Sequence, residues 1–132
     1  MDVKKKLRSY LPALRYAVVC ANRLDAIRAT LLKSPKMDGM PRASTVGGLE
    51  LMAATIEAEE RRLDRARKKA LAILDEIEDM IDSLEDYDGK KVLRLHYIGG
   101  LTWDQVAVES HWSESTVRRI HGRALEDLRR RP

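Results

Sequence analysis

Apolar side chains recur in alternating steps of three and four between residues 49 and 84. The series is Leu49, Met52, Ile56, Leu63, Ala66, Ala70, Ile73, Ile77, Met80 and Leu84, with Glu59 its single polar member. That period puts them on one stripe of an α-helix, whereas the two-residue period of a strand would scatter them over both faces. A helix this long spans about 54 Å at ~1.5 Å per residue. Its stripe needs cover from another helix of the chain, from a second copy, or from both, as in a coiled coil.

Residues 3–33 supply a partner within the chain. Leu7, Tyr10 or Leu11, Leu14, Ala17 or Val18, Ala21, Leu24 and Leu31 stand at helical spacing. Pro12 either kinks this helix or marks its true start, with Ser9 as a cap. Residues 34–48 (SPKMDGMPRASTVGG) hold two Pro and three Gly and predict a flexible loop. Tyr87-Asp88-Gly89 is expected to end the long helix. Composition agrees: 35% of residues are charged, 5% are aromatic and none is Phe. The side chains that favour sheets are scarce, and helix formers abound. The expectation is an all-α protein: a long N-terminal helical hairpin or coiled coil over residues 1–86, with helices at about 3–33 and 49–85, and a C-terminal domain over 87–132.

Several function classes drop out. Cys20 is the sole cysteine, so no intrachain disulfide forms; among Ala and Val it is expected to be a buried structural thiol. The opening Lys4-Lys5-Lys6 and residues 11–21 imitate a signal peptide, but Arg8 and Arg15 interrupt the apolar stretch. A cytoplasmic protein with no membrane partner is expected. His96, His111 and His121 lack the close spacing and the Cys or carboxylate support of a metal site. With no phosphate loop, nucleophile elbow or distinct carboxylate pair, neither an enzyme nor a cofactor is expected.

Residues 89–132 carry the informative pattern. Residues 90–97 predict a short helix that Gly99-Gly100 breaks. Thr102 caps a second helix, residues 103–110, with Val106 and Ala107 inward. His111-Trp112 makes a tight turn, and Ser113 caps a third helix burying Val117, Ile120, Ala124, Leu125 and Leu128. Two helices crossing closely over a short turn need a small residue at the crossing (Ala107), an apolar plug in the turn (Trp112) and inward residues three apart (Val117 and Ile120). His111 departs from the ideal: it stands where many such turns place Gly in a left-handed conformation, which His tolerates better than a β-branched residue. The third helix then presents Glu114, Ser115, Thr116, Arg118, Arg119 and Arg123 at the end that enters a major groove. Arginine suits guanine edges and phosphates alike. An amphipathic three-helix packing explains the apolar positions equally well, but not the arginines at 118, 119, 123 and 129. A net charge of +4 is compatible with nucleic acid without proving it.

The run VLRLHYIGGLTWDQVAVESHWSESTVRRIHGRALEDLRR, residues 92–130, resembles region 4 of bacterial sigma factors, the helix-turn-helix that reads the upstream promoter element. The whole chain is similar to phage-encoded sigma-region-4-like proteins of the ArpU/RinA transcriptional regulator class, through GMPRAS, IDSLEDYDGKKVLRLHYIGGLTWDQVA and HGRAL. The resemblance implies that Ser115, Arg118 and Arg119, with Glu114 beside them, read bases, and that Arg94, Thr102, Trp103 and Arg123 touch the DNA backbone. Ser115 replaces a usual acidic residue and Arg119 an amide, implying a different target sequence. Nothing resembles the sigma region that melts promoters.

The expected function is thus a sequence-specific phage or prophage transcription regulator in the bacterial cytoplasm. It binds double-stranded DNA at promoters with host RNA polymerase and self-associates, as a dimer, through the hairpin. The alternative is a small-terminase-like packaging protein, although in those the DNA-binding module comes first in the chain. Charge along the second helix is segregated. Arg61, Arg62, Arg65, Arg67, Lys68 and Lys69 precede a stretch, residues 75–88, with eight acidic residues and no basic one. Either these are solvated faces, or the acidic stretch docks on a basic partner or steers DNA from the stalk.

Overall fold

The structure, a computed structural model, describes residues 2–33 and 45–131. Those residues form α1 (Val3–Leu7), α2 (Tyr10–Lys33), α3 (Thr45–Asp82), α4 (Tyr87–Leu93), a π-helical turn (Arg94–Ile98), α5 (Trp103–Ser110) and α6 (Glu114–Arg130). The expected all-α class holds, with no strand among the described residues. Most of the expected loop lies outside them, but its last four residues, 45–48, already belong to α3.

Three boundaries differ from the sequence-based ones. The first helix is interrupted at Arg8-Ser9, where the Ser9 hydroxyl donates to the Lys6 carbonyl (2.6 Å). Pro12 therefore falls in the first turn of α2, where its missing N–H breaks no helical bond. Tyr87-Asp88-Gly89 begins α4 instead of ending α3: Asp86 caps α4 by accepting from the Asp88 N–H at 3.1 Å. Gly89 is inside α4 because α6 approaches there; a Cβ at 89 would meet the Ala124 Cβ at 3.3 Å. Finally, the compact units are Met1–Ala13 with Ala70–Pro132, and Leu14–Lys69, in place of a division at 86/87.

Burial explains that last difference. Val3, Leu7 and Tyr10 from the start of the chain share one core with Ala70, Ile77, Ile81 and Leu84 of the α3 end and with Leu93, Tyr97, Ala124, Leu125 and Leu128. Leu7, Ile77 and Ile81 are each 0% exposed, a burial that contributes roughly 1.5–3 kcal/mol per side chain. Salt links join the same elements. Lys6 pairs with Glu76, and Arg94 with Asp82 and with Glu78 (3.4 Å). Part of the acidic stretch is thus internal counter-charge. A second core, Val92, Val106, Ala107, Val117 and Ile120, lies where α4, α5 and α6 meet.

In the other unit, Ala17, Cys20 and Leu24 of α2 pack on Leu63 and Ala66 of α3. Cys20 is buried, as expected. Glu59 is 7% exposed and is held by Arg23 (3.3 Å) and Arg62 (3.7 Å), while Arg28 binds Glu60 at 2.6 Å.

The packing of α1 generates a test. Leu7→Ala should cost about 2–5 kcal/mol. Trp103 and Trp112 both lie in the affected unit, so tryptophan fluorescence in urea reads the loss directly. An unshifted transition would show that α1 contributes nothing to this core.

Candidate nucleic-acid interface

The turn between α5 and α6 is built from local hydrogen bonds. The Thr102 hydroxyl accepts from the Gln105 N–H (3.2 Å), and the Gln105 side chain accepts from the Thr102 N–H (2.9 Å), a reciprocal cap on α5. His111 closes α5 at φ 61° and ψ 34°, the left-handed conformation expected of it. Its N–H donates to Val108 and that of Trp112 to Ala107. The Trp112 ring packs on the Val92, Val106, Ala107, Val117 and Ile120 core, with the Lys91 ammonium 5.4 Å from its centre. Ser113 then caps α6, its hydroxyl accepting from the Thr116 N–H at 3.2 Å.

Because Val117, Ile120, Ala124, Leu125 and Leu128 are buried, the opposite face of α6 must lie in solvent. Glu114, Ser115, Arg118, Arg119 and Arg123 are exposed and Thr116 is half-buried. Hydroxyls of Ser113, Ser115 and Thr116 cluster at the helix start. Among the described residues no carboxylate lies within 4.0 Å of a charged nitrogen of Arg118, Arg119 or Arg123. The Glu114 carboxyl has its pKa raised by the hydrogen bond and charge of Asp104, while Arg118 pulls the other way.

Two side chains expected at the DNA backbone are occupied elsewhere. Arg94 is held by Glu78 and Asp82, so a phosphate would have to displace two carboxylates. Trp103 stacks its indole on His96 (3.8 Å between centres, 15° between planes). Thr102 is exposed, although its hydroxyl already serves as the cap.

An aromatic cluster beneath α6 was not evident from residue spacing. In the π-helical turn the Gly99 N–H reaches back five residues to the Arg94 carbonyl (2.8 Å). Adjacent residues His96 and Tyr97 both enter the cluster from this turn. His96 Nδ1 donates to the Leu101 carbonyl (2.7 Å), and the Tyr97 hydroxyl is hydrogen-bonded to His121 Nε2 (2.8 Å). Trp103 lies 4.4 Å from His121. The only sequence signal was the pairing of His with aromatic residues at 96–97 and 103. A cavity of about 200 Å³ opens beside the cluster, walled in part by Lys4, Arg8, Glu114 and Arg118.

Burial above all, then the charges of His96, Lys4, Arg8 and Arg129, push the His121 pKa down to about 4. Burial also lowers that of His96. The unfolded chain therefore takes up a proton near pH 6.5 that folded His121 refuses until about pH 4. Stability is full above pH 6.5 and declines as pH falls through that window. Urea midpoints should drop between pH 7.5 and pH 4.5, and His121→Gln should drop less steeply. Parallel pH profiles for the two proteins would count against a proton-excluding His121.

No curated protein and no solved structure matches the chain. Residues 83–130 match the family model for sigma-70, region 4, a span that takes in α4, the π-helical turn, α5 and α6. Over those residues the chain carries a sigma-70 region 4-like helix-turn-helix domain, a DNA-binding module of transcription.

Proposed function

We propose that the chain is a sequence-specific transcription regulator of phage or prophage origin, non-enzymatic, acting at promoters with the host RNA polymerase. The observation that carries this reading is the exposed N-terminal half of α6. Arg118 and Arg119, followed just past the midpoint by Arg123, stand there without ion-pair partners among the described residues, on a capped helix that follows a left-handed turn, within the region 4 match. In this reading Glu114, Ser115, Thr116, Arg118 and Arg119 face base edges, and Thr102 and Arg123 the backbone. Arg94 and Trp103 have structural roles instead. In this reading the region 4-like module serves recruitment or redirection of polymerase rather than replacement of its sigma factor.

Self-association belongs to the same reading. In the Leu14–Lys69 unit, Val18 and Val19 are 50% and 60% exposed, and Leu49 and Leu51 57% and 70%. Apolar surface of this extent on paired helices suits a coiled-coil dimer, which would set two recognition helices on repeated half-sites.

Three outcomes test the reading. Arg118→Ala should cost roughly 1–3 kcal/mol on the specific duplex and relax its preference, whereas Arg123→Ala should weaken all sequences alike and flatten the salt dependence. Equal losses on specific and random duplexes would remove the base-reading assignment. Sedimentation at micromolar concentration should give a dimer, and a monomer would limit the protein to one short site. In transcription in vitro, stimulation should require sigma-containing holoenzyme. Initiation with core enzyme alone would overturn recruitment.

A further inference from the structure

The run Lys4-Lys5-Lys6 is split by the fold. Lys6 turns to Glu76. Lys4 and Lys5, with Arg8, have no carboxylate within 4.0 Å of their charged nitrogens among the described residues. Burial of Val3 and Leu7 in the core that holds Leu125 and Leu128 fixes α1 against α6. That docking puts Lys4 and Arg8 on the wall of the cavity they share with Arg118. Lys4, Lys5 and Arg8 also line a second depression with Arg129. Cations from α1 thus link the arginine near the start of α6 to one near its end.

We propose that α1 with its C-cap Arg8 is a second DNA-contacting element, whose Lys4 and Arg8 bind backbone phosphates flanking the groove that α6 enters. The inference rests on the DNA-binding reading of α6 and extends it, since residues 4–8 lie outside the region 4 match. A helix seated in a major groove about 12 Å wide has phosphate chains on both sides. Lys4 and Arg8, on the wall of a cavity that Glu114 and Arg118 share, stand beside the exposed start of that helix, within reach of one of those chains. Like charges held together in the free protein repel; the His121 pKa, depressed first by burial and then by His96, is lowered further by Lys4, Arg8 and Arg129. Phosphates relieve this repulsion, and displaced counterions add to the affinity. The contact is indifferent to sequence, so α1 sets register and strength while α6 supplies preference.

The experiment compares the full chain with Lys4→Gln/Arg8→Gln and with Lys6→Gln, whose side chain is engaged by Glu76. Affinity for the preferred duplex and for a random one is followed against salt, with ethylation interference on the preferred site. Each lost phosphate contact should make the log–log salt slope shallower by about 0.9, hence by roughly 1.8 for the double variant. Its preference between the two duplexes should stay, and interference should vanish at phosphates on one flank. Lys6→Gln should keep the wild-type slope. An unchanged slope and pattern in the double variant, with wild-type protein bound, would overturn the role of α1 alone. So would an equal change in Lys6→Gln, which would reduce the effect to net charge. Normal DNA binding with lost polymerase stimulation would assign the patch to a protein partner and overturn it too. Wild-type protein that binds neither duplex would overturn both this inference and the reading beneath it.

Discussion

Burial of one face of α6 is the interaction on which the rest of the structure depends. Val117 and Ile120 close the small core over α5, while Ala124, Leu125 and Leu128 enter the larger core with α1, α3 and α4. A helix seated on two cores at once has little freedom to rotate, so its outward residues are aimed by packing alone. Such pre-ordering spares the side chains part of the entropy loss that binding would otherwise impose. Gly89 serves the same end: a Cβ there would meet the Ala124 Cβ at 3.3 Å, a tight contact that requires its neighbour to give by a few tenths of an ångström.

Charge is arranged around that frame with a division of labour. Acidic residues of the α3 end engage Lys6 and Arg94, tying the long helix to the module. Among the described residues, Lys4, Arg8, Arg118, Arg119, Arg123 and Arg129 have no carboxylate within 4.0 Å of their charged nitrogens, whereas Arg130 pairs with Asp127 at 3.7 Å. Exposed ion pairs contribute little to stability individually, so the value of the acidic stretch lies in which cations it occupies. A uniform excess of positive charge would bind nucleic acid anywhere; the pairs made by Lys6 and Arg94 remove two cations from that excess.

Much of this was legible from side-chain spacing. The capping residues Thr102 and Ser113, the left-handed His111, the Trp112 plug and the inward residues Val117 and Ile120 all occupy the places their chemistry predicts. These features depend on neighbours within a turn or two, where backbone geometry determines the outcome. The contacts of Arg94 and Trp103 were not legible, because their partners stand elsewhere: Glu78 and Asp82 on α3 for the first, His96 in the π-helical turn for the second. The wider turn itself left no periodic signature, since it is one irregular step inside an apolar segment.

Local order, then, was determined by the sequence alone: an all-helical chain, starts of the last two helices where the hydroxyls of Thr102 and Ser113 satisfy free N–H groups, and an amphipathic last helix with its arginines outward. Tertiary structure decided membership. It assigned residues 2–13 to the core of the DNA-binding unit, across more than fifty intervening residues, and separated Lys6 from Lys4 and Lys5. The physical reason is that an apolar stripe specifies that it must be covered but not by what. Which surfaces meet depends on the complementarity of whole faces in three dimensions, and only the folded chain brings those faces together.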